Sequence, residues 1–199
     1  LIYNMECPFR LTPFQSTHAQ EAAALYEASF PLSERRPTDK WLAMCQGGHG
    51  AFRAVVIVSA NEGSDGQVLG FITYWQLPSC HYIEHFAVSP QCRGKGIGAA
   101  AFSLLLNEVK SHSTMQWVLE VEPPHTPMAA RRIAFYERLG MHLNQQSYRQ
   151  PPYRPGDAWL PLYIMSARPI TEATEWQKMV SDLHRIVYGV ATPESDAGR

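Results

Sequence analysis

The chain has no apolar run of about 18 residues, so no membrane-spanning helix is expected. Its opening residues, LIYNMECPFRLTPF, lack a charged segment followed by an apolar core and do not read as a secretion signal. The first residue is Leu rather than an initiator Met, consistent with a natural start further upstream. Neither sign of charge dominates: 17 Lys and Arg face 18 Asp and Glu, a formal net charge of -1. A broad nucleic-acid footprint needs a basic surplus on one face, and here the basic residues are scattered, with small clusters at Arg35-Arg36 and Arg131-Arg132. Cysteine is scarce. Cys7, Cys45, Cys80 and Cys92 form no C-x-x-C pair and no zinc pattern with histidine, so reduced thiols in a cytoplasmic chain, with no metal, are the simplest account. Internal repeats, low-complexity stretches and linkers are missing too. At 199 residues, 45% hydrophobic and 18% charged, one folded domain with a modest extension is expected.

What is present reads as alternating strands and helices. Phe9–Phe14 suggests a first strand. Helical spacing follows over His18–Phe30, with Thr17 as a candidate cap, and over Pro37 to about Gln46, with Thr38 as another. Ala51–Ala60 and Val68–Leu77 read as a hairpin around the turn Asn61–Gly66. His81–Val88 is a further strand. In GIGAAAFSLLLNEVK, Ile97, Ala101, Leu104 and Leu105 recur at helical spacing, so Gly96–Lys110 predicts a helix packing one face. Gln116–Val121 is a strand, and Met128–Leu139 a helix ended by Gly140. His142–Tyr148 and Trp159–Ser166 read as closing strands joined by the loop Gln150–Asp157. Thr171–Tyr188 reads as a C-terminal helix. Its apolar stripe (Trp176, Met179, Val180, Leu183, Ile186, Val187) is expected to dock on the domain, with a homodimer seam as the other use. The tail after Gly189 is expected to be disordered.

The informative stretch is HFAVSPQCRGKGIGAAAFSLLL, a strand, a glycine-rich turn and a helix. Gly94, Gly96 and Gly98 let the backbone turn sharply, so that several N–H groups converge on one anion. The unpaired amides and partial positive charge of the helix start suit a pyrophosphate. Arg93 and Lys95 add cationic side chains. Three readings compete. A ligand-free strand–helix connection would need fewer glycines. A dinucleotide fold is matched by Gly94, Gly96 and Ala99 in G-x-G-x-x-G/A, with Glu120 about 20 residues further on. That reading requires the turn to follow the strand directly, yet Ser89–Arg93 intervenes. It also requires the motif to open the fold, yet much of the chain precedes it.

The third reading is a family resemblance. Gln91-Cys92-Arg93-Gly94-Lys95-Gly96 resembles the Q/R-x-x-G-x-G/A signature of the GCN5-related N-acetyltransferases. YIEHFAV resembles the fourth strand of that family, and RRIAFYERLGM (Arg131–Met141) resembles its A-x-x-F-Y-x-x-x-G-F segment. Two positions depart from the pattern. Arg132 stands in place of the Ala, and Glu122–Met128 (EPPHTPM) is enlarged and lacks the cofactor-contacting Asn common there. The resemblance implies the acyl-CoA N-acyltransferase fold: an α/β domain with a mixed, strongly twisted central sheet flanked by helices. It covers residues 8–166, leaving 167–199 as a C-terminal helix and tail.

The resemblance further implies acetyl transfer from acetyl-CoA to a primary amine by direct attack. Phe86, Ala87 and Val88 would offer backbone groups to the pantetheine arm. Gln91, Cys92, Arg93, Gly94, Lys95, Gly96, Ile97, Gly98 and Ala99 would hold the pyrophosphate, and a backbone N–H near Phe86 or Ala87 would polarise the acetyl carbonyl. An ammonium is not nucleophilic, so a carboxylate must take its proton. Glu84 is the first candidate, on the same strand face as Phe86, and Glu120 is the second. The competing role for either is a strand carboxylate paired with an Arg. Tyr136 matches the family tyrosine that donates a proton to the leaving thiolate; packing a helix is its competing role, and Phe135 is expected to pack the sheet. A non-catalytic acyl-CoA sensor on the same scaffold is the alternative function.

Other signals carry less. His81-x-x-Glu84-His85 spells an inverted zincin motif, but on a strand four residues span roughly 13 Å, too far for two direct ligands of one zinc. Cys92 lies at a helix start, where thiols are more reactive, yet direct transfer needs no thiol nucleophile. Phe30-Pro31 with Glu34, Arg35 and Arg36, and the loop Gln150–Asp157 with Tyr153 and Arg154, are expected to border the acceptor. The acceptor is a small-molecule or peptide amine whose identity the sequence leaves open.

Overall fold

The computed structural model describes residues 9–60, 66–110 and 113–191. The expected turn residues 61–65 and tail residues 192–199 lie outside the described residues, as does Cys7. Among the described residues, eight strands and the helices beside them fall into two compact units. The first comprises described residues of 9–76 and 83–115, the second those of 77–82 and 116–191.

In the first unit, β1 (Phe9–Pro13) pairs antiparallel with β2 (Phe52–Ser59), and β2 pairs antiparallel with β3 (Val68–Gln76), with a register shift at Ile57/Val58. β4 (His81–Val88) lies beside β3 and contributes Ile83–Val88 to this unit. Every residue of β3 from Val68 to Trp75 is buried. Such a continuous apolar run, rather than alternation, marks a strand covered on both faces. Gly70 is required there: a Cβ would stand 2.5 Å from the Ala87 carbonyl oxygen.

Three helices belong to this unit: α1 (Ala19–Ser29), α2 (Thr38–Ala43) and α3 (Ile97–Lys110). Thr17 does not cap α1. It lies in a 3-10 turn, Ser16–His18, that leads into the helix, where the Gln15 N–H donates to His18 Nδ1 at 3.1 Å. Thr38 does not cap α2 either. It is the first helical residue, and its hydroxyl accepts from Arg35 Nη1 at 3.0 Å and donates to Glu27 Oε1 at 2.5 Å. α3 buries Ile97, Ala101, Phe102, Leu105 and Leu106, whereas Leu104 is 52% exposed. The buried stripe is thus rotated toward Phe102, away from the expected Leu104. Ile97 and Ala101 join Ile57, Leu69 and Cys92 in one apolar cluster.

The second unit contains His81 and Tyr82 of β4, β5 (Trp117–Val121), α4 (Pro127–Arg138), β6 (His142–Leu143), β7 (Tyr148–Gln150), β8 (Leu160–Ser166) and α5 (Ala173–Asp182). β8 pairs antiparallel with β5, β6 and β7. The expected strand His142–Tyr148 is broken, because the polar residues between β6 and β7 spend their side chains on backbone groups. Asn144 Nδ2 donates to the Ile164 carbonyl at 3.0 Å and to Ser166 Oγ at 2.8 Å, and its Oδ1 accepts from the Ile170 N–H at 3.0 Å. Gln146 Nε2 donates to the Ile170 carbonyl at 2.7 Å.

α5 passes into a wider turn, Leu183–Val187. Met179, Leu183 and Val187 are buried, so the core of the C-terminal stripe is spent on packing. The Gln116 side chain and Arg168 both bond Glu175 on α5.

Candidate active site

The turn after β4 is built from short local bonds. Cys92 N–H donates to the Ser89 carbonyl at 2.9 Å, and Arg93 N–H to that of Pro90 at 3.3 Å. Gly94 and Gly96 then take φ of +76° and +78°, conformations that cost little only for glycine. Open space lies where a Gly94 side chain would be, with nothing within 4 Å. The bond from Ala100 N–H to the Gly96 carbonyl, 3.0 Å, opens the helical ladder. Amides just ahead of it belong to the helix start, where donors have no intrahelical partner. This geometry suits a pyrophosphate: a glycine-rich turn at the positive end of a 14-residue helix.

Individual residues behave differently within that turn. Cys92 is buried in the apolar cluster with Ile57 and Leu69, so its thiol serves packing. Ser89 Oγ donates to Gln91 Oε1. Arg93 Nε donates to the Val88 carbonyl at 3.0 Å, fixing the end of β4. Lys95 is exposed.

Glu84 sits on β4 with its side chain fully buried. Its Oε1 accepts from Arg36 Nε at 2.9 Å and Nη2 at 2.7 Å, and its Oε2 from Trp75 Nε1 at 2.9 Å. Burial alone would raise its proton affinity. The Arg36 charge, then His85 and these hydrogen bonds, outweigh burial and hold the carboxyl below its ordinary value. His85, beside it, is held below its ordinary value by burial and is neutral near pH 7. Its Nε2 lies 3.2 Å from the Glu34 carbonyl oxygen and 3.5 Å from Tyr26 Oη. The inverted zincin stretch is a strand, as its sequence suggested. His81 is buried, with its ring 5.0 Å from that of Trp117.

Glu120 on β5 has another environment. Tyr82 and Tyr188 each donate to its Oε2 at 2.9 Å, and Tyr148 donates to its Oε1. The Tyr82 and Tyr188 hydroxyls lie 3.0 Å apart. Burial, then the Glu120 charge, raises Tyr148 and Tyr188 well above the usual phenol value, so both stay protonated. The sequence pointed to Glu120 but not to these three tyrosines, which lie 28 to 68 positions away from it (Tyr82 at 38).

Tyr136 is on α4. That helix starts with Thr126, whose Oγ1 accepts from Ala129 N–H at 3.1 Å, followed by Pro127. It ends at Gly140, φ +84°, and the Met141 N–H returns to the Tyr136 carbonyl at 3.0 Å. The buried face is Ala129, Ile133 and Tyr136, whereas Phe135, expected to pack, is only partly buried. Burial pushes the Tyr136 hydroxyl up to about 12. Arg132, where the family pattern has Ala, bonds Glu122 at 2.9 Å on the surface.

Among the described residues, no three His, Cys, Asp or Glu side chains are grouped to hold a metal ion, and no helix is long and apolar enough to cross a membrane. Cys45, Cys80 and Cys92 are free thiols.

No curated protein matches the chain in sequence. Among solved structures it is similar to a protein from Bacteroides thetaiotaomicron assigned to the GNAT acetyltransferase family, at 34% identity and TM-score 0.76, covering 91% of this chain and 99% of that one. It shares its fold with the ribosomal-protein-S18-alanine N-acetyltransferase from Escherichia coli, at 19% identity and TM-score 0.56, covering 80% and 92%. It also shares it with Arabidopsis thaliana NAA60, solved in complex with acetyl-CoA, at 14% identity and TM-score 0.62, covering 80% and 97%. The family model described as Acetyltransferase (GNAT) family matches residues 18–141. That span takes in the glycine turn, Glu84, Glu120 and Tyr136, and with the 34% identical relative it shows that the chain belongs to the GNAT family of acetyltransferases.

Proposed function

We propose that the chain transfers an acetyl group from acetyl-CoA to a primary amine by direct attack, using a core of residues 8–166 to which 167–199 are an addition. The observation that carries this reading is the turn from Gln91 to Ala99, with two left-handed glycines ahead of a long helix. Within Gln91 to Ala99, Cys92 and Arg93 spend their amides shaping the turn, while the amides from Gly94, Lys95, Gly96, Ile97, Gly98 and Ala99, with the charges of Arg93 and Lys95, are offered to a diphosphate. Phe86, Ala87 and Val88 present strand backbone to the pantetheine arm, with a Phe86 or Ala87 N–H directed at the acetyl oxygen. Acetyl-CoA supplies an activated thioester whose C–S bond breaks as the C–N bond forms.

Two tasks remain for side chains. One is to take a proton from the incoming ammonium. Glu84 and Glu120 are the two carboxylates in view, and their surroundings favour Glu120. Neutral hydroxyls surround it, and a tyrosine can pass its proton to the carboxylate while accepting one from the amine. Glu84 is held ionised by a guanidinium, which weakens it as an acceptor. The other task is to stabilise the departing thiolate. With its hydroxyl near 12, Tyr136 acts as a hydrogen-bond donor, because full transfer to a thiolate of pKa about 8.5 runs uphill by several units.

The test is thiol release from acetyl-CoA with spermidine, an alanine-terminated peptide, a lysine peptide and free amino acids as acceptors. Turnover with one class, lowered at least about 100-fold in kcat by Glu120→Gln and more weakly by Tyr136→Phe, is expected. Calorimetry showing no coenzyme A uptake by folded protein would refute the reading.

A further inference from the structure

The short segment between α1 and α2, residues 30–37, is fastened to β4 at several points. Arg36 reaches Glu84 through two nitrogens. The Glu34 carbonyl meets His85 Nε2 at 3.2 Å, and the Arg36 N–H donates to Tyr26 Oη at 2.9 Å. Beneath the segment, Tyr26 stacks on Trp41 at 4.1 Å between centroids and meets the His85 ring edge-on at 4.9 Å. Phe30 meets the same His85 ring at 4.7 Å. The Arg36 guanidinium also lies 5.5 Å from the Trp75 ring centroid, so the indole both bonds Glu84 and faces its partner. Within this fastening the outer residues Pro31, Leu32 and Ser33 are exposed, Leu32 at 63%.

Glu84 and His85 lie two and one residues ahead of Phe86 on β4. At about 3.3 Å per residue, the two residues that fasten the segment stand within roughly 7 Å along β4 of the backbone that, on the proposed function, holds the acetyl carbonyl. An attacking amine must come to within about 3.5 Å of that carbonyl carbon. The points at which the segment is fastened are therefore within side-chain reach of an acceptor at that carbonyl.

We infer that Glu84 is a positioning residue, which through Arg36 fixes residues 30–37 against β4 as one wall of the amine site. This rests on the acetyl-transfer reading above. The chemistry separates it from a base. A base needs a free lone pair aimed at the substrate and a proton affinity that rises when its cation is removed. A positioning carboxylate needs its partner, so that removing either member has one and the same effect. Among the described residues, Arg36, His85 and Trp75 face Glu84 directly, and its charge also reaches Tyr26 and Cys45.

The test uses the full chain and the best acceptor of the panel, spermidine or the alanine-terminated peptide. Steady-state kinetics of Glu84→Gln, Arg36→Gln and the double variant are followed across pH. Each single variant is expected to raise KM for the amine about tenfold while changing KM for acetyl-CoA less than about twofold. The double variant should be no worse than either single one, the acidic limb of kcat/KM should stay in place, and Arg36→Lys should recover part of the loss. Trp75→Phe, which removes the indole bond to Glu84 and trims the ring facing Arg36, should raise the amine KM in the same sense and serves if Glu84→Gln does not fold. Loss of the acidic limb in Glu84→Gln, a 100-fold fall in kcat at constant amine KM, or an amine KM unchanged in all variants would each overturn the inference. Absence of thiol release by the wild type would instead overturn the acetyl-transfer reading, and this inference with it.

Discussion

Gly70→Ala is the substitution for which the geometry makes the sharpest demand. The new Cβ would stand 2.5 Å from the Ala87 carbonyl oxygen and 2.9 Å from Ile57 Cδ1. Ordinary contact begins near 3.4 Å, so the two strands would have to part by most of an ångström. One neighbour is main chain and the other a fully buried isoleucine, so neither can swing aside. The Ser89 N–H to Leu69 carbonyl bond, 2.8 Å at the same edge, would stretch out of range. Overpacking costs about 1–3 kcal/mol and a lost ladder bond about 1, so a loss of roughly 2–4 kcal/mol is expected. In a chain of this size each kcal/mol is worth about 2–4 °C, which gives a fall in Tm of about 4–16 °C. Thermal unfolding followed by circular dichroism reads it. Gly94→Ala is the control. It has φ +76° but nothing within 4 Å, so its cost is conformational strain alone, about 1–2 kcal/mol. It should weaken coenzyme A binding out of proportion to its effect on Tm. A Gly70→Ala protein melting within about 2 °C of wild type would refute the claim that β4 is seated against β3 through this glycine.

Asn144→Ala strands the buried Ile170 N–H and removes two donated bonds, so urea denaturation should show a loss of about 2–3 kcal/mol; an unchanged midpoint would contradict the network. Stability should also fall on mild acidification. Burial holds His81, His85 and His184 below their ordinary 6.5, so the unfolded chain binds more protons below that pH. Their contribution is complete above about pH 6.5 and is lost as pH falls, at up to about 1.4 kcal/mol per pH unit for each group. Glu84, also lowered, adds a second loss below about pH 4.5. A Tm constant from pH 7 to 5 would refute both the burial of these rings and the sign of the effect.

Strand and helix order was legible because period and punctuation are local properties. His81–Val88 has the bounds that its β-rich run suggests, and α4, expected over Met128–Leu139 before Gly140, runs Pro127–Arg138. Errors arose where side-chain bonds, near or far in sequence, took over from the expected ones. Thr17 and Thr38 look like caps by composition, but Gln15, His18, Arg35 and Glu27 meet the relevant groups instead. Asn144 and Gln146 sit in a run that reads as strand, and their side chains end it by bonding Ile164, Ser166 and Ile170.

The two carboxylates show the same limit at the site. Spacing on a strand can single out a glutamate, as it did Glu84, which meets Arg36 and Trp75 whereas Phe86 packs against the Ile57 and Ile97 cluster. Whether that glutamate can accept a proton depends on who surrounds it. Glu84 meets a guanidinium 48 positions earlier and an indole nine positions earlier, while Glu120 meets hydroxyls from three separate elements. No period links these positions, since each contact is made only once its own unit has folded. An ion pair with Arg36 stabilises the charged form of Glu84, whereas hydroxyl donors to Glu120 can exchange protons as they bond. Two glutamates of equal standing in the sequence are therefore chemically unequal in the fold, and the difference lies in their neighbours.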